Sequence, residues 1–147
     1  MDIKLIPLTA TDEDIKELQR IHSTPTVKKW ITVSEDYFTY VTSSDAVIYY
    51  KIFSDDALCG GLQCETDGDT AYLCICIDEP YRKRGIAEAA LRQLPDILPR
   101  SIKRTEASID EANIPSRCLF EKAGFVMEGK EDNLLTYMKC VNGDGSF

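Results

Sequence analysis

Residues 79–91, EPYRKRGIAEAAL, place three consecutive basic side chains just before a glycine and a run with helical spacing. The chain as a whole is acidic, with 25 Asp and Glu against 17 Lys and Arg and a formal net charge of −8. A helix N-terminus leaves backbone N–H groups without acceptors and carries partial positive charge. A glycine there lets an anion approach the main chain. We therefore interpret Arg82, Lys83 and Arg84 as serving an anionic ligand, such as a pyrophosphate.

The same residues also fit a solvated basic loop before an ordinary helix, and the spacing alone does not decide between the two. The short pattern Arg82-x-x-Gly85-x-Ala87 is weak by itself, because it arises often at common residue frequencies. The elements on either side of the loop must therefore carry the argument.

The chain before the loop predicts one strand, two helical regions and three more strands. The first helix starts at Thr11 and runs to about His22, since Ile15, Leu18 and Ile21 follow at helical spacing. The second helical region spans VKKWI and SEDYFTYV, with Ser34 as its N-cap. Short polar turns, one of them with Asp-Gly, then favour an antiparallel meander. The predicted strands are 3–8, 46–53, 57–65 and 70–77.

The chain after the loop alternates between helix and strand. A helix over 85–94 ends or kinks at Pro95. A strand over 104–109, a helix over 114–123 and two strands over 125–131 and 133–140 follow. The predicted order is β-α-α-β-β-β-α-β-α-β-β. Because strand–helix–strand in the middle requires some parallel pairing, the predicted class is α+β, with a mixed β-sheet and helices on both faces.

Length and composition bound the class of protein. The 147 residues, 44% of them hydrophobic, suit one soluble domain over 1–141, with NGDGSF at 142–147 expected to be a flexible tail. The N-terminus lacks the features of a signal peptide, and no apolar run approaches the ~20 residues that span a bilayer. We expect a cytoplasmic protein that acts without a membrane. The acidic balance argues against nucleic-acid binding.

The cysteines and the one histidine are predicted to have structural roles. The chain contains no C-x-x-C pair, and neither a secretory context nor a zinc-ligand spacing is evident, so we expect buried reduced thiols and no metal site. His22 is predicted to be a surface or capping residue. The six cysteines are Cys59, Cys64, Cys74, Cys76, Cys118 and Cys140.

Two segments at compatible spacing resemble the GNAT superfamily of N-acetyltransferases over essentially the whole chain. Arg82-x-x-Gly85-x-Ala87, between a strand and an amphipathic helix, is similar to the acyl-CoA-binding motif of that family. NIPSRCLFEKAGFVMEG, residues 113–129, resembles its later Asn-x-x-Ser segment, and the element order also agrees. The wording, with the early TPTVKKWI, is closest to the branch that includes ribosomal-protein N-terminal acetyltransferases.

The resemblance implies an acetyl-CoA cosubstrate bound along one strand and one loop. Backbone groups of Cys76 and Ile77 would pair with the pantetheine arm, and N–H groups from Lys83 to Ala87 would hold the pyrophosphate. Asn113 matches the family asparagine that contacts the arm, with a role as helix N-cap alone as its alternative. The implied cosubstrate-binding residues are Cys76, Ile77, Arg82, Lys83, Arg84, Gly85, Ile86, Ala87, Glu88, Asn113 and Phe120.

The catalytic residues are less defined, because the sequence departs from the family patterns. Direct transfer to an amine needs a base or water chain for the amine proton. Phe120 stands where several members have a tyrosine acid, and a phenylalanine cannot donate a proton. Glu65 is the base candidate, with a solvated strand-end carboxylate as its alternative, and Ser116 is a weak candidate donor to the leaving sulfur.

Three functions of different kind stay open at this point. The first is an N-acetyltransferase acting on a small-molecule amine or a peptide N-terminus, and the second a non-catalytic acyl-CoA sensor of the same fold. The third is a nucleotide-phosphate-binding protein unrelated to CoA, against which the absence of the usual glycine-rich motifs argues. The acceptor is expected against residues 22–42, and the protein is expected to be a monomer or a homodimer.

Overall fold

A computed structural model describes residues 1–141. The predicted tail at 142–147 lies outside the described residues. A 3₁₀ turn, Glu79–Tyr81, precedes α4. The other elements are β1 (Ile3–Pro7), α1 (Ile15–His22), α2 (Pro25–Lys28), α3 (Tyr37–Ser43), β2 (Val47–Ser54), β3 (Ala57–Asp67), β4 (Thr70–Ile77), α4 (Ile86–Ile97), β5 (Arg104–Asp110), α5 (Ile114–Lys122), β6 (Val126–Glu131) and β7 (Leu134–Cys140).

The seven strands form one sheet in the order β1-β2-β3-β4-β5-β7-β6. Only β4 and β5 pair in parallel, and the other neighbours pair antiparallel. Short turns join β2 to β3, β3 to β4 and β6 to β7, which pair antiparallel, whereas α4 carries the chain across between the parallel strands β4 and β5. The predicted α+β class with a mixed sheet is confirmed.

Helices cover both faces of the sheet, and β4 shows why. Its side chains alternate, so that Cys76 joins an apolar cluster with α1, α2 and α3. Ile77, the next residue, joins a larger cluster with α4 and α5 on the opposite face. Strand geometry sends successive side chains to opposite faces. The C-terminal end of β4 is therefore packed between helices on two sides.

The first helix begins later than predicted, at Ile15 rather than Thr11. The intervening residues form a turn in which the Asp14 N–H donates to the Asp12 carboxylate at 2.9 Å. Lys51, only 8% exposed, bridges both carboxylates at 2.8 and 2.9 Å. These ion pairs therefore attach the turn before α1 to strand β2.

Two other predicted boundaries differ. The second helical region is two short helices, and Asp36, not Ser34, is the N-cap of α3. The predicted end at Pro95 is wrong, since α4 continues to Ile97. Leu94 is 1% exposed and its carbonyl accepts the Leu98 N–H at 3.1 Å. Burial of these leucines holds the last turn despite the hydrogen bond that a proline cannot donate.

No helix within residues 1–141 is both long and apolar enough to cross a membrane. The cytoplasmic location stays a prediction from the sequence.

Candidate active site

A groove opens where β4 and β5 stop pairing. The pairing covers only Thr70, Ala71 and Tyr72, which face Arg104, Thr105 and Glu106. Strand β4 then continues to Ile77 without a partner on that side, while β3 pairs with it along its whole length. We call the resulting cavity of about 280 Å³ the strand groove. Its walls include Glu65, Tyr72, Cys74, Glu106 and Ser108.

The strand groove leads to the loop that carries the basic cluster. Lys83 and Gly85 both have left-handed backbone, with φ of 63° and 81°. Gly85 is the N-cap of α4, and the first helical bond runs from the Ala89 N–H to its carbonyl at 3.0 Å. The N–H groups of residues 86–88 therefore have no acceptor within the helix.

The space in front of this helix end is open. A Cβ added to Gly85 would meet no atom closer than 4.0 Å, and Lys83 and Arg84 are exposed beside it. Free N–H groups, partial positive charge and mobile cations are what a pyrophosphate needs. The residues present thus fit the phosphate end of CoA.

The three basic side chains are not equivalent. Arg82 is turned back, and its Nε donates to the Ile77 carbonyl at 3.1 Å. The Arg84 guanidinium lies 5.7 Å from the centre of the Tyr81 ring, a distance at which cation–π attraction operates. Within residues 1–141 none of the three forms an ion pair with a carboxylate. Arg82 shapes the strand end, whereas Lys83 and Arg84 offer their charges to solvent.

Asp78, which the sequence analysis did not single out, anchors the start of the loop. It is 4% exposed and accepts the Glu79 N–H at 3.0 Å and Arg20 Nη2 at 2.6 Å. Its own N–H donates to the Cys59 carbonyl at 2.7 Å. The buried carboxylate of Asp78 therefore fixes the loop to α1, and the backbone N–H of the same residue fixes it to β3.

The later motif is structured as a capped helix. The Asn113 side chain accepts the Ser116 N–H at 3.3 Å, so Asn113 is the N-cap of α5, and its contact with the pantetheine arm stays a prediction. Ser116 lies half-buried in the first turn of α5. Glu88 is paired with Arg92 at 3.1 Å along α4 rather than with the loop.

Phe120 and Ile86 do not present their side chains to a ligand. Each is 2% exposed, and Phe120 packs edge-on against Phe125 at 4.9 Å in the core. The structure gives Phe120 a packing role, and its contact with the cosubstrate stays a prediction. Ile86 can still offer its backbone N–H.

Of the two catalytic candidates, only Glu65 faces the strand groove. It is half-buried on β3, opposite Tyr72 of β4. Within residues 1–141, Glu65 forms no ion pair. It also forms no hydrogen bond with Ser116, which lies on α5. Ser108 also lines the strand groove.

The predicted surface location of His22 is wrong, because the residue is 6% exposed. It completes the buried stripe of α1, four residues after Leu18, and this periodicity was the available signal. Its Nε2 lies 2.9 Å from the Tyr49 hydroxyl and 3.5 Å from Cys76 Sγ. Burial lowers the pKa of His22 to about 4 and raises the pKa of Cys76 to about 12.

The prediction of buried reduced thiols is right for three of the six cysteines. All six are free, and Cys59, Cys64 and Cys76 are buried in the apolar clusters. Cys118 and Cys140 are exposed, contrary to expectation.

Comparison with known proteins defines the family. The sequence profile of the acetyltransferase (GNAT) family matches residues 15–125. A search of curated protein sequences gave no significant match. The GNAT domain of PAT from S. lividans has a TM-score of 0.81 at 17% identity, with 94% of this chain and 90% of that chain covered.

Two further solved structures are of enzymes whose names state the acceptor. Spermidine N-acetyltransferase from Vibrio cholerae, in complex with CoA and spermine, has a TM-score of 0.77 at 14% identity, covering 95% of each chain. Ribosomal-protein-S5-alanine acetyltransferase from Vibrio fischeri has a TM-score of 0.79 at 14% identity, covering 97% of this chain and 94% of that chain. At these identities the similarity shows the fold alone, so the branch stays a prediction. The matched profile spans most of the sheet, the loop and α5, and the chain belongs to the GNAT family of acetyltransferases.

Proposed function

We propose that the protein transfers an acetyl group from acetyl-CoA directly to an amine of a small molecule or a peptide N-terminus. The observation that carries this proposal is the unpaired edge of β4, which ends at Ile77, eight residues before the open N-terminus of α4 at Gly85. The pantetheine arm would lie along residues 73–77 and the pyrophosphate on the N–H groups of 83–88. The acetyl group would then reach the strand groove.

The reaction requires the protein to accept a proton from the amine and to stabilise charge on the thioester oxygen. The amine nitrogen forms a C–N bond with the thioester carbon, the C–S bond breaks, and CoA leaves as a thiolate that takes a proton. Glu65, directly or through water, would accept the proton that the amine loses. A backbone N–H near Ile77 would stabilise charge on the thioester oxygen.

A non-catalytic acyl-CoA sensor is the alternative, and Phe120 favours it. This side chain stands at the position of the family's tyrosine acid, and it is buried and without a proton to donate. A free-thiol release assay with acetyl-CoA and a broad panel of amines and peptides decides between the two. Release establishes the transferase, whereas calorimetric binding without release on any acceptor establishes the sensor.

Charge reversal at Arg84 is expected to weaken acetyl-CoA binding. Arg84→Glu should lower the affinity at least tenfold, about 1.4 kcal/mol, because a carboxylate would face the phosphates. Arg100→Glu is the matched control, since Arg100 is also exposed but follows the opposite end of α4. Titration calorimetry measures both. Equal affinities of the two variants would remove the loop from the binding site.

Filling the space at Gly85 is expected to have the same effect by a steric route. Gly85→Val places a branched side chain where the phosphate would approach, and we expect at least a tenfold loss of acetyl-CoA affinity. Gly68→Val is the control, because Gly68 also has left-handed backbone, at φ 63°, with no atom within 4 Å. Both variants should lose similar stability from backbone strain, roughly 1–2 kcal/mol. If Gly85→Val and Gly68→Val lower the affinity for acetyl-CoA by the same factor, the proposal is contradicted.

Replacement of the base candidate is expected to change turnover and its pH profile. Glu65→Gln should lower kcat near neutral pH, with partial recovery at high pH, where solvent removes the amine proton. The KM for acetyl-CoA should stay the same, and Glu131→Gln, on the exposed edge strand, serves as a control. An unaltered rate profile would exclude Glu65 from the mechanism.

A further inference from the structure

An ion pair joins helix α1 to the first residue after strand β4. Arg20 Nη2 donates to the Asp78 carboxylate at 2.6 Å, across 58 positions of the chain. The Asp78 side chain is 6% exposed, whereas that of Arg20 is 51% exposed. Within residues 1–141, Asp78 pairs with no other cation. Replacement of Arg20 would therefore leave a buried carboxylate without its charge partner.

Glu17 and the core hold Arg20 where it reaches Asp78. The Glu17 carboxylate accepts Arg20 Nε at 3.0 Å and Nη2 at 2.7 Å, a two-pronged pairing that fixes the plane of the guanidinium. Leu18 and Ile21 of the same helix are fully buried, so α1 itself is firmly packed on the sheet. Arg20 is therefore a well-placed group that contacts the start of the loop from outside it.

Asp78 begins a short closed turn that ends where the proposed phosphate-binding N–H groups begin. Its carboxylate accepts the Glu79 N–H at 3.0 Å, and its carbonyl accepts the Tyr81 N–H at 2.9 Å. The Arg82 N–H closes the turn by donating to the Glu79 carbonyl at 3.2 Å. The position of Asp78 therefore determines where the next residue, Lys83, must start.

Lys83 depends on this turn for its unusual backbone. Its φ of 63° lies in the left-handed region, which residues with a Cβ rarely adopt. Such a conformation persists only where the surrounding structure holds it. On the other side of Lys83, the next buried residue is Ile86. A displacement of Asp78 would therefore release Lys83, and the N–H groups that follow would no longer point to one ligand.

We propose that Arg20 is a positioning residue for the cosubstrate site, which through Asp78 holds the loop in the shape that binds the pyrophosphate of acetyl-CoA. The inference rests on the proposed function and adds a residue of α1 to the determinants of cosubstrate affinity, outside segments 82–87 and 113–129. An ion pair between two exposed groups would contribute little. The effect here is larger because the carboxylate is buried, and without Arg20 the loop must move to give it a new partner.

Titration calorimetry with acetyl-CoA tests the proposal on Arg20→Met, with Arg92→Met as the matched control. Arg92 is also half-exposed and pairs with a glutamate of its own helix, and it holds a different segment through the Lys122 carbonyl. We expect Arg20→Met to lower the affinity roughly tenfold and Arg92→Met to leave it within about twofold of the wild type. Equal affinities of the two variants overturn the proposal.

A double variant separates positioning from direct contact with the phosphates. Asp78→Asn keeps an oxygen for the Glu79 N–H and places an amide nitrogen where the other oxygen accepts from Arg20. If Arg20 acts through Asp78, adding Arg20→Met to this variant should cause no further loss of affinity. A second loss of roughly tenfold would mean that Arg20 contacts the ligand itself, which overturns the positioning role.

The conservative variant Arg20→Lys provides the rescue. It keeps a cation for the single bond to Asp78 and gives up only the two-pronged pairing with Glu17, so its affinity should lie within about threefold of the wild type. An affinity as low as that of Arg20→Met contradicts the proposal. If acetyl-CoA does not bind the wild type, the proposed function fails and this inference with it. If the wild type binds and any contrary result above is found, the inference alone fails.

Discussion

Gly60→Ala is expected to destabilise the protein by roughly 3 kcal/mol, although it adds only one methyl group. A Cβ built on Gly60 of β3 would lie 2.0 Å from the Cys76 carbonyl oxygen and 3.0 Å from the Ile77 Cα. These atoms belong to the backbone of β4, which cannot move aside as a flexible side chain would. The two strands must therefore separate at the end that carries the loop.

The matched control is Gly129→Ala on the edge strand β6, where an added Cβ meets no atom within 4 Å. Urea unfolding should place this variant within about 0.5 kcal/mol of the wild type. Because Gly60 faces Ile77, we also expect Gly60→Ala to weaken acetyl-CoA binding, whereas Gly129→Ala should not. Similar unfolding midpoints for the two variants would show that β4 yields more easily than the geometry indicates.

The sequence was sufficient to predict the elements around the basic loop. Local chemistry determines them, with apolar runs at strand and helix spacing and Gly85 at the one N-cap that needs left-handed backbone. Asn113 and Pro115 likewise define the start of α5 through capping and a proline that suits the first turn. Local rules and the tertiary structure agree at these positions.

The end of α4 shows where rules based on local sequence fail to predict a helix boundary. Pro95 predicts a stop, yet the helix continues because Leu94 and Leu98 are buried in the core on either side of it. Tertiary burial outweighed the missing backbone hydrogen bond. A rule that reads residues one at a time could not weigh these two contributions.

The functional geometry was harder to predict because it depends on contacts between distant residues. Asp78 meets Arg20 across 58 positions, and Cys76 meets His22 across 54. The pairing of β4 with β5 ends early and so opens the strand groove. Nothing in the sequence of either strand indicates this end. The sequence therefore indicated the phosphate end of the site, and the structure was needed for the acceptor side.

His22 should make the stability of the protein depend on pH in a defined interval. Burial lowers its pKa from 6.5 to about 4, so the unfolded chain binds a proton in this interval and the folded protein does not. Stability is therefore complete above pH 6.5 and falls as the pH drops towards 4. The loss assignable to His22 is about 3 kcal/mol over the interval.

Comparison with His22→Gln isolates this contribution, because the carboxylates that also titrate there are common to both proteins. The groups in contact with His22 do not titrate between pH 4 and 7, since burial raises the pKa values of Tyr37, Tyr49 and Cys76. The free energy of unfolding, measured in urea at several pH values, should therefore fall more steeply for the wild type than for the variant. Parallel curves would mean that the folded protein can protonate His22, contrary to the lowered pKa that its burial predicts.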